Sequence, residues 1–508
     1  MGSIDEGSMM NGISGLPFKL KNAELFRQQS YVHGQWIESK AGGWFNVVDP
    51  GTGEAWASCP NFTPGDVDSA VQSSHDAFQA YKKVNPRTKA QMLLKWDSLI
   101  REHREDLALI LTYETGKPYA EACAEIDYGV SFVGWFAGEA ERINGTVHVA
   151  SVPNRRVFTV KQPIGVAVGL VPWNFPIAMS LRKVAAALAA GCTMIVKPSP
   201  ETPFTTLSLA YLAEKAGFAP GVFNVVTTDL NNTPSVCETL CKHPLVSKVT
   251  FTGSTRVGKL IAKHCAEGLK KVTLELGGNC PYIIFDDADL EHALTQLMAL
   301  KFKHAGQVCV TANRVYVQSG VYDKFSAMLA VATRSLKIGH GTDASTTIGP
   351  VTTPQSLEKL KRQVEDSQGL GGQVLVGGKQ VPGSQGYFFE PTVITGMTAD
   401  MLLTREETFG PICALYKFDT EDEVVKYAND TSMGLASYFF TKCVDRTWRL
   451  LENLEAGMIG MNTGNSSGAE NPFGGIKQSG YGKESGKDVA VAEYLVTKTG
   501  TLTLDDHY

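Results

Sequence analysis

The sequence has no block of basic residues and only a small charge imbalance. Its 508 residues include 47 lysines and arginines against 52 aspartates and glutamates, a formal net charge of −5. Because proteins that bind nucleic acid or anionic lipid display concentrated basic patches, this composition excludes their electrostatic footprint. Charged residues make up 19% and hydrophobic residues 43% of the chain, so we expect a globular protein whose partners are small molecules.

No uncharged run is suited to crossing a membrane. The longest, 163–181, contains Pro163, Pro172 and Pro176, a backbone that a bilayer would not tolerate. The opening segment, 1–12, has neither the apolar region of a secretory signal nor the arginine-rich pattern of a transit peptide. We therefore expect no membrane association and a cytoplasmic location.

Cysteine pairs of the metal-binding type are also missing. The ten cysteines form no CxxC motif and no cluster with histidine. This distribution argues against a disulfide scaffold and against a zinc site. It favours a reducing compartment.

The pattern along the chain predicts two or three domains of α/β class. Residues 67–128 have helical periodicity and predict two or three helices, and 143–170 reads as a hairpin followed by a buried strand. Strands and helices then alternate over 176–272, which is typical of a parallel sheet. A second α/β series, from 272 to 462, predicts another domain.

Two strand ends in the first series are candidate ligand sites. The turn Gly253–Gly258 lies between a strand and a helix, where free N–H groups bind phosphate, but it lacks the GxGxxG spacing and fits a plain tight turn as well. Lys197 ends a buried strand at the edge where α/β sheets bind ligands. The alternative for Lys197 is a solvated strand end.

Two residues in the second half are candidates for chemistry. Cys309, in KHAGQVCVTANR, is either a nucleophile or a buried structural thiol, and the nearby Gly306 suggests a close backbone approach to a ligand. Glu275, in TLELGGN, is either a general base or a paired core carboxylate. Spacing alone leaves both choices open.

Seven motifs, taken in order, resemble the aldehyde dehydrogenase superfamily. The resemblance extends from about residue 20 to 502. It is greatest to succinate-semialdehyde dehydrogenases, as the segments LKNAELFRQQSYVHGQW and GWFAGEAERINGT indicate. The motifs are VPWNFP (171–176), IVKPSPETP (195–203), FTGSTRVG (251–258), LELGGN (274–279), GQVC (306–309), EETFGP (406–411) and PFGGIKQSG (472–480).

The resemblance implies the oxidation of an aldehyde to its acid through a covalent intermediate. Cys309 matches the nucleophile, Asn174 matches the amide that stabilises the oxyanion together with the cysteine N–H, and Glu275 matches the base that activates water. No metal is implied. The alternatives are oxidation of another aliphatic or aromatic aldehyde, a thioester hydrolase and a non-catalytic structural relative.

The resemblance also implies a nicotinamide cofactor, NADP or NAD. Relatives that prefer NAD often carry a glutamate three residues after the lysine, whereas this chain has Pro200, so we expect NADP to be accepted. The positions matching cofactor-binding residues are Pro172, Trp173, Lys197, Ser199, Gly253, Ser254, Glu407 and Phe409.

Three positions match a site for the distal carboxylate of a semialdehyde. Arg182 and Ser467 match an arginine and the serine, although Arg182 also fits a surface position on a helix. Lys303 stands where a second arginine is common, which keeps the charge but loses the bidentate fork. His304 and Thr311 depart from the usual asparagine and second cysteine, and suggest a shifted substrate.

The resemblance supplies an expected architecture and assembly. It comprises a Rossmann-like cofactor domain (20–142 and 165–276), an α/β catalytic domain (277–471) and a small β-element for oligomerisation (143–164 and 489–508). Such an element commonly adds a strand to a neighbour's sheet. A homodimer or homotetramer is expected.

Overall fold

A computed structural model describes residues 16–505 and shows an α/β fold. No helix within this range combines the length and apolar composition needed to cross a membrane. The α-helices of this range, α1 to α15 in chain order, are Pro64–Tyr81, Pro86–Glu102, Arg104–Thr115, Tyr119–Ala140, Pro176–Ala190, Pro203–Lys215, Thr233–Lys242, Thr255–Ala266, Leu290–Lys301, Tyr322–Arg334, Pro354–Gly369, Leu402–Arg405, Glu421–Asn429, Val444–Asn453 and Val489–Ala492.

Three main sheets are built from the strands of the described range. These strands, β1 to β22 in chain order, are Ser30–Val32, Gln35–Ile37, Trp44–Val48, Ala55–Pro60, Val147–Val149, Arg155–Pro163, Val166–Leu170, Thr193–Lys197, Phe223–Val225, Val246–Thr252, Lys271–Glu275, Pro281–Ile284, Arg314–Gln318, Gln373–Val376, Thr392–Thr395, Ile412–Phe418, Met433–Gly434, Ala436–Phe440, Met458–Met461, Ile476–Lys477, Gly480–Tyr481 and Leu495–Thr503.

The first sheet has the strand order β2-β1-β9-β8-β7-β10-β11-β21. Its central pairs, from β9 to β11, are parallel, as the alternation of strands and helices predicts. The edge strand β21 pairs antiparallel with β11, placing Gly480 opposite Glu275. Thus a segment from near the C-terminus completes the sheet beside the candidate base.

The second sheet has the order β14-β15-β16-β13-β12-β18-β19 and is parallel apart from the β14–β15 pair. It has its own apolar core, which includes Tyr282, Val315 and Phe439. This separate core agrees with the two α/β series of the sequence.

The third sheet, β22-β6-β5, is antiparallel, and β22 pairs with β6 over its whole length. The predicted hairpin of 143–170 is therefore confirmed, with β7 as the buried strand that follows it. The predicted domain boundaries remain a prediction, and their last three residues, 506–508, lie outside the described residues.

Helix α5 lies at the centre of the molecule and is buried along its entire length. Pro176 begins it, which suits the fixed φ of proline, and Gly191 ends it with a φ of +90° that an L side chain rarely adopts. Around it, the 67–128 region forms four helices, α1 to α4, rather than the two or three predicted, because short breaks near residues 85, 103 and 117 divide the periodic segments.

Candidate active site

Two cavities, each of about 260 Å³, meet at Cys309. Cys309, Phe175 and Met179 line both of them. One cavity, called the substrate cavity below, is lined by Arg182, Lys303 and Ser467. The other, called the cofactor cavity, is lined by most of the positions that match cofactor-binding residues. A thiol at this junction can contact a ligand on either side.

A tight left-handed turn sets the position of Cys309. His304, Ala305 and Gly306 have φ values of +47°, +51° and +75°. A Cβ atom on Gly306 would lie 2.2 Å from the carbonyl oxygen of Gly410, so only glycine fits there. Gly306 therefore approaches the protein's own backbone, and the expectation that it approaches a ligand is wrong.

The Asn174 side chain reaches the loop that carries Cys309. Its Nδ2 atom donates to the carbonyl oxygen of Gln307 at 2.9 Å. Because a carboxamide nitrogen carries two hydrogens, the second remains for a substrate oxygen. Gln307 is itself fixed, since its side chain donates to the His304 carbonyl and accepts from Thr352 N–H.

The Cys309 thiol is protonated near neutral pH in this structure. Burial raises its pKa to about 12, and the charge of Arg182 opposes this shift. A thiolate must form for nucleophilic attack, so a nearby group has to accept the proton.

Glu275 ends β11 and faces the same cavity as Asn174. Only 2% of the residue is exposed, and neither of its carboxylate oxygens has a hydrogen-bond partner in the described residues. Burial and the Glu484 carboxylate raise its pKa well above the ordinary value, although Arg182 and Lys183 act in the opposite direction. Unpartnered oxygens leave Glu275 free to bind water.

Arg182 belongs to a buried charge cluster, so the surface alternative is wrong. It is 1% exposed, and its guanidinium lies 3.1 Å from Glu484, which also pairs with Lys183. Burial acts to raise the pKa of Glu484, but the charges of Lys183 and Arg182 lower it to about 2. Two cations thus share one carboxylate, and the NH1 group of Arg182 has no hydrogen-bond partner in the described residues.

Lys303 and Ser467 line the same cavity as Arg182. Lys303 Nζ lies 5.5 Å from the centroid of the Phe175 ring. Ser467 is hydrogen-bonded to the hydroxyl of Tyr128, which also lines the cavity. All three predicted substrate positions therefore converge on one space.

On the other side of Cys309, a glycine-lined wall leads to Glu407. The Glu407 carboxylate accepts from Gly278 N–H at 3.0 Å, and a Cβ on Gly277 would come within 3.0 Å of its second oxygen. Ser254 caps α8, and with Gly253 it places the start of that helix in the cavity wall. The start of a helix presents unpaired N–H groups, which suit a phosphate.

The remaining predicted cofactor positions divide into two groups. Pro172, Trp173 and Phe409 line this cavity, and the Trp173 and Phe409 rings meet edge to face at 5.5 Å. Lys197 and Ser199 line neither of the two cavities. Lys197 is 5% exposed, so it is a buried strand end rather than a solvated one, and Ser199 donates to the Glu201 carboxylate.

The structure adds residues that sequence reasoning missed. Tyr128, Gln296 and Tyr438 line the substrate cavity, and Lys359 lines the cofactor cavity. No motif pointed to them, because they come from helices and strands far apart in the sequence. Lys183 could have been found as the sequence neighbour of Arg182.

Within residues 16–505, no cluster of three or more side chains that could hold a metal ion is present.

A cysteine between an anion-compatible cavity and a phosphate-compatible cavity fits an enzyme with a thiol nucleophile and a phosphate-bearing cofactor. The comparison with known proteins identifies which one: residues 36–500 match the model of the aldehyde dehydrogenase family, and the chain belongs to that family. The prediction of an α/β enzyme that oxidises aldehydes is confirmed.

Individual relatives cover nearly the whole chain. Succinate-semialdehyde dehydrogenase (NADP+) 1 of Schizosaccharomyces pombe is 46% identical, with 95% of this chain and 97% of that protein aligned. A 3-sulfolactaldehyde dehydrogenase of Pseudomonas putida is 45% identical, over 94% and 98% of the two chains. The crystal structure of an NADP-dependent enzyme of E. coli superimposes with a TM-score of 0.94 and is 43% identical, covering 96% and 100%.

Proposed function

We propose that this aldehyde dehydrogenase oxidises small aldehydes with a distal anionic group, with succinate semialdehyde as the first candidate. The observation that carries the proposal is the NH1 group of Arg182, which has no hydrogen-bond partner among residues 16–505 and lies buried in the wall of the substrate cavity. Lys303 adds a second positive charge to that wall, and the Ser467 hydroxyl adds a hydrogen-bonding group. The relatives named for succinate semialdehyde and 3-sulfolactaldehyde both act on anionic aldehydes.

In the proposed mechanism, the Cys309 thiol gives its proton to Glu275, and the thiolate attacks the aldehyde carbon so that the carbonyl oxygen becomes an oxyanion. The free hydrogen of the Asn174 amide and the Cys309 N–H stabilise that charge. The nicotinamide cofactor, when bound, accepts the hydride that leaves the carbon, and a thioester on Cys309 remains. Once it has released that first proton to solvent, Glu275 takes a proton from water, and the hydroxide attacks the thioester. The acid is released, and the leaving Cys309 sulfur takes up the proton held by Glu275, which restores the thiol.

The cofactor-side residues fit a dinucleotide. The start of α8 suits the diphosphate, and the buried Glu407 carboxylate suits the ribose hydroxyls next to the nicotinamide. We propose NADP as the preferred cofactor, because Pro200 offers no carboxylate to repel a 2′-phosphate and two relatives are named for NADP. NAD remains the second candidate, since Glu201 places a negative charge beside Ser199.

The predicted domains and assembly are part of the proposal. The β22-β6-β5 sheet exposes apolar side chains, with Val147, Val149 and Leu502 exposed at 78%, 97% and 51%. We propose that this element joins copies of the chain into a homodimer or homotetramer, which light scattering on the purified protein would measure. The ten free cysteines are consistent with the proposed cytoplasmic location, which fractionation would test.

A substrate panel tests the proposed activity. The purified enzyme would be assayed with succinate semialdehyde, glutarate semialdehyde, 3-sulfolactaldehyde, butanal and benzaldehyde, each with NADP and with NAD. We expect kcat/KM to be highest for an anionic aldehyde with NADP. Equal values for butanal and the anionic aldehydes would contradict the substrate proposal, and a higher value with NAD would contradict the cofactor proposal.

A further inference from the structure

A fully buried ion pair lies behind the turn that carries Asn174. Lys117 Nζ pairs with the carboxylate of Glu125, and both side chains are 0% exposed. Lys117 follows α3 in a short linker, whereas Glu125 lies on α4. Within the described residues, neither side chain lines either cavity, so the pair is not placed to touch a substrate.

The pair holds both ends of the segment 174–178. Lys117 Nζ donates to the Asn174 carbonyl oxygen at 2.8 Å and lies 4.2 Å from the centroid of the Phe175 ring. Glu125 Oε1 accepts from the N–H groups of Ile177 and Ala178, at 3.0 and 3.3 Å. These two N–H groups belong to the first turn of α5, where a negative charge is favourable.

The lysine is fixed in turn by the second half of the molecule. Tyr119 N–H donates to the Gly341 carbonyl at 2.8 Å, and a Cβ on Gly341 would lie 2.3 Å from the Lys117 carbonyl oxygen. This close approach locks the linker against the half of the chain that carries Cys309. The ion pair therefore fixes Asn174 relative to the half of the chain that carries the nucleophile, Cys309.

We propose that Lys117 and Glu125 are positioning residues for the oxyanion site. By fixing the 174–178 backbone, they keep the Asn174 amide at the Cys309 loop. A buried ion pair adds little net stability compared with apolar residues of equal volume, so its effect on Asn174 is the distinctive consequence of this geometry. The inference rests on the role proposed above for Asn174.

The first test is the double variant Lys117→Met/Glu125→Gln. Methionine removes the hydrogen bond to Asn174, while glutamine keeps a carbonyl oxygen for the α5 N–H groups, so the pair loses one charge of each sign. The nearby Glu121 carboxylate loses the charge of Lys117 but keeps that of Lys303 and its hydrogen bond from His304 N–H. We expect the pre-steady-state rate of hydride transfer, measured as formation of reduced cofactor, to fall at least tenfold. Loss of one oxyanion donor costs about 10²–10³ in rate. Alkylation of Cys309 by iodoacetamide develops no oxyanion, so its rate should stay within about twofold of the parent.

A double-mutant cycle with Asn174→Ala tests whether the pair acts through Asn174. If it does, Asn174→Ala alone lowers the rate of hydride transfer, and adding the Lys117 and Glu125 changes lowers that rate no further. Additive losses would overturn the proposal. An unaltered rate in a folded Lys117/Glu125 variant would overturn it as well.

Two further proteins keep the test decisive. If the double variant does not fold, Glu125→Asp takes its place. It retains the charge but shortens the side chain by one methylene, and it should slow hydride transfer without slowing alkylation of Cys309. A rate of hydride transfer equal to the parent's in this variant would overturn the proposal. The control is Arg446→Met/Asp287→Asn, which removes a part-buried ion pair of 3.0 Å outside both cavities and leaves Glu421, a second partner of Arg446, paired with Arg449. It should leave the rate of hydride transfer unchanged.

Each measurement is made with both butanal and succinate semialdehyde. The proposal requires the same fold-loss for both aldehydes, because every substrate forms an oxyanion. A loss confined to succinate semialdehyde would overturn it. The choice of substrate is tested separately by the panel above, and if Asn174→Ala has no effect, the proposed role of Asn174 fails together with this inference.

Discussion

Replacing Lys303 by methionine should remove the preference for anionic aldehydes while leaving the fold intact. In residues 16–505 the Lys303 ammonium has no ion-pair or hydrogen-bond partner, and it lines the substrate cavity above the Phe175 ring. Its removal breaks no ion pair, and the nearby Glu121 carboxylate, which interacts with the charges of both Lys303 and Lys117, keeps Lys117. This makes Lys303 a cleaner position to change than Arg182, whose loss would leave Glu484 with Lys183 alone.

The size of the effect follows from the contact that would be lost. A hydrogen bond between charged groups contributes about 1.5–3 kcal/mol, and about 1.4 kcal/mol corresponds to a factor of ten. We therefore expect kcat/KM for succinate semialdehyde to fall by about 10- to 150-fold in Lys303→Met. The value for butanal should not change, since this substrate has no distal charge.

The assay measures kcat/KM for both aldehydes from the formation of reduced cofactor. Lys303→Arg is the matched variant: it keeps the charge and restores a fork that binds a planar carboxylate, so it should favour succinate semialdehyde over 3-sulfolactaldehyde. Equal losses for butanal and succinate semialdehyde in Lys303→Met would refute the reasoning. They would show that Lys303 supports the cavity wall rather than binding an anion.

Four further outcomes are expected. Cys309→Ala should abolish dehydrogenase activity while cofactor affinity, measured by calorimetry, stays near the parent value; substantial turnover would exclude the nucleophile. Glu275→Gln should give at most one equivalent of reduced cofactor per site, and a steady rate near the parent's would exclude the base. Pro200→Glu should shift the kcat/KM ratio toward NAD, and an unchanged ratio would show that residue 200 does not face the ribose. Without cofactor, alkylation of Cys309 should accelerate about tenfold per pH unit up to pH 9, because a pKa of about 12 leaves the thiol protonated below it; a plateau near pH 8 would contradict that value.

The sequence predicted the fold class and many of the residues that meet at the site, but not how they are arranged. The motifs with Cys309, Glu275 and Asn174 could be found because each is a short continuous segment. Arg182 could be found for the same reason, yet its burial and its pairing with Glu484 could not, since the two residues are 302 positions apart. Short-range periodicity carries no information about contacts of that range.

The same limit explains the Gly306 error. A glycine beside a candidate nucleophile suggests space for a ligand, but the neighbouring atom is the Gly410 carbonyl oxygen, 104 positions later in the sequence. The left-handed φ values of His304 and Ala305 could not be predicted either, because a positive φ is uncommon for any residue other than glycine, although histidine adopts it more often than most. Only the packed structure shows that the turn is imposed from outside.

Burial gives the resting site a chemical property that the sequence did not suggest. Burial raises the pKa of both Cys309 and Glu275, that of the thiol to about 12, so the nucleophile carries its proton near neutral pH. A protonated thiol reacts slowly with oxidants and electrophiles, because the thiolate is the reactive form. Arg182 acts to lower the pKa of both groups, but Glu484 shares its charge. An anionic substrate beside Arg182 would offset that charge further, so the arginine does not by itself make the Cys309 thiolate available at neutral pH.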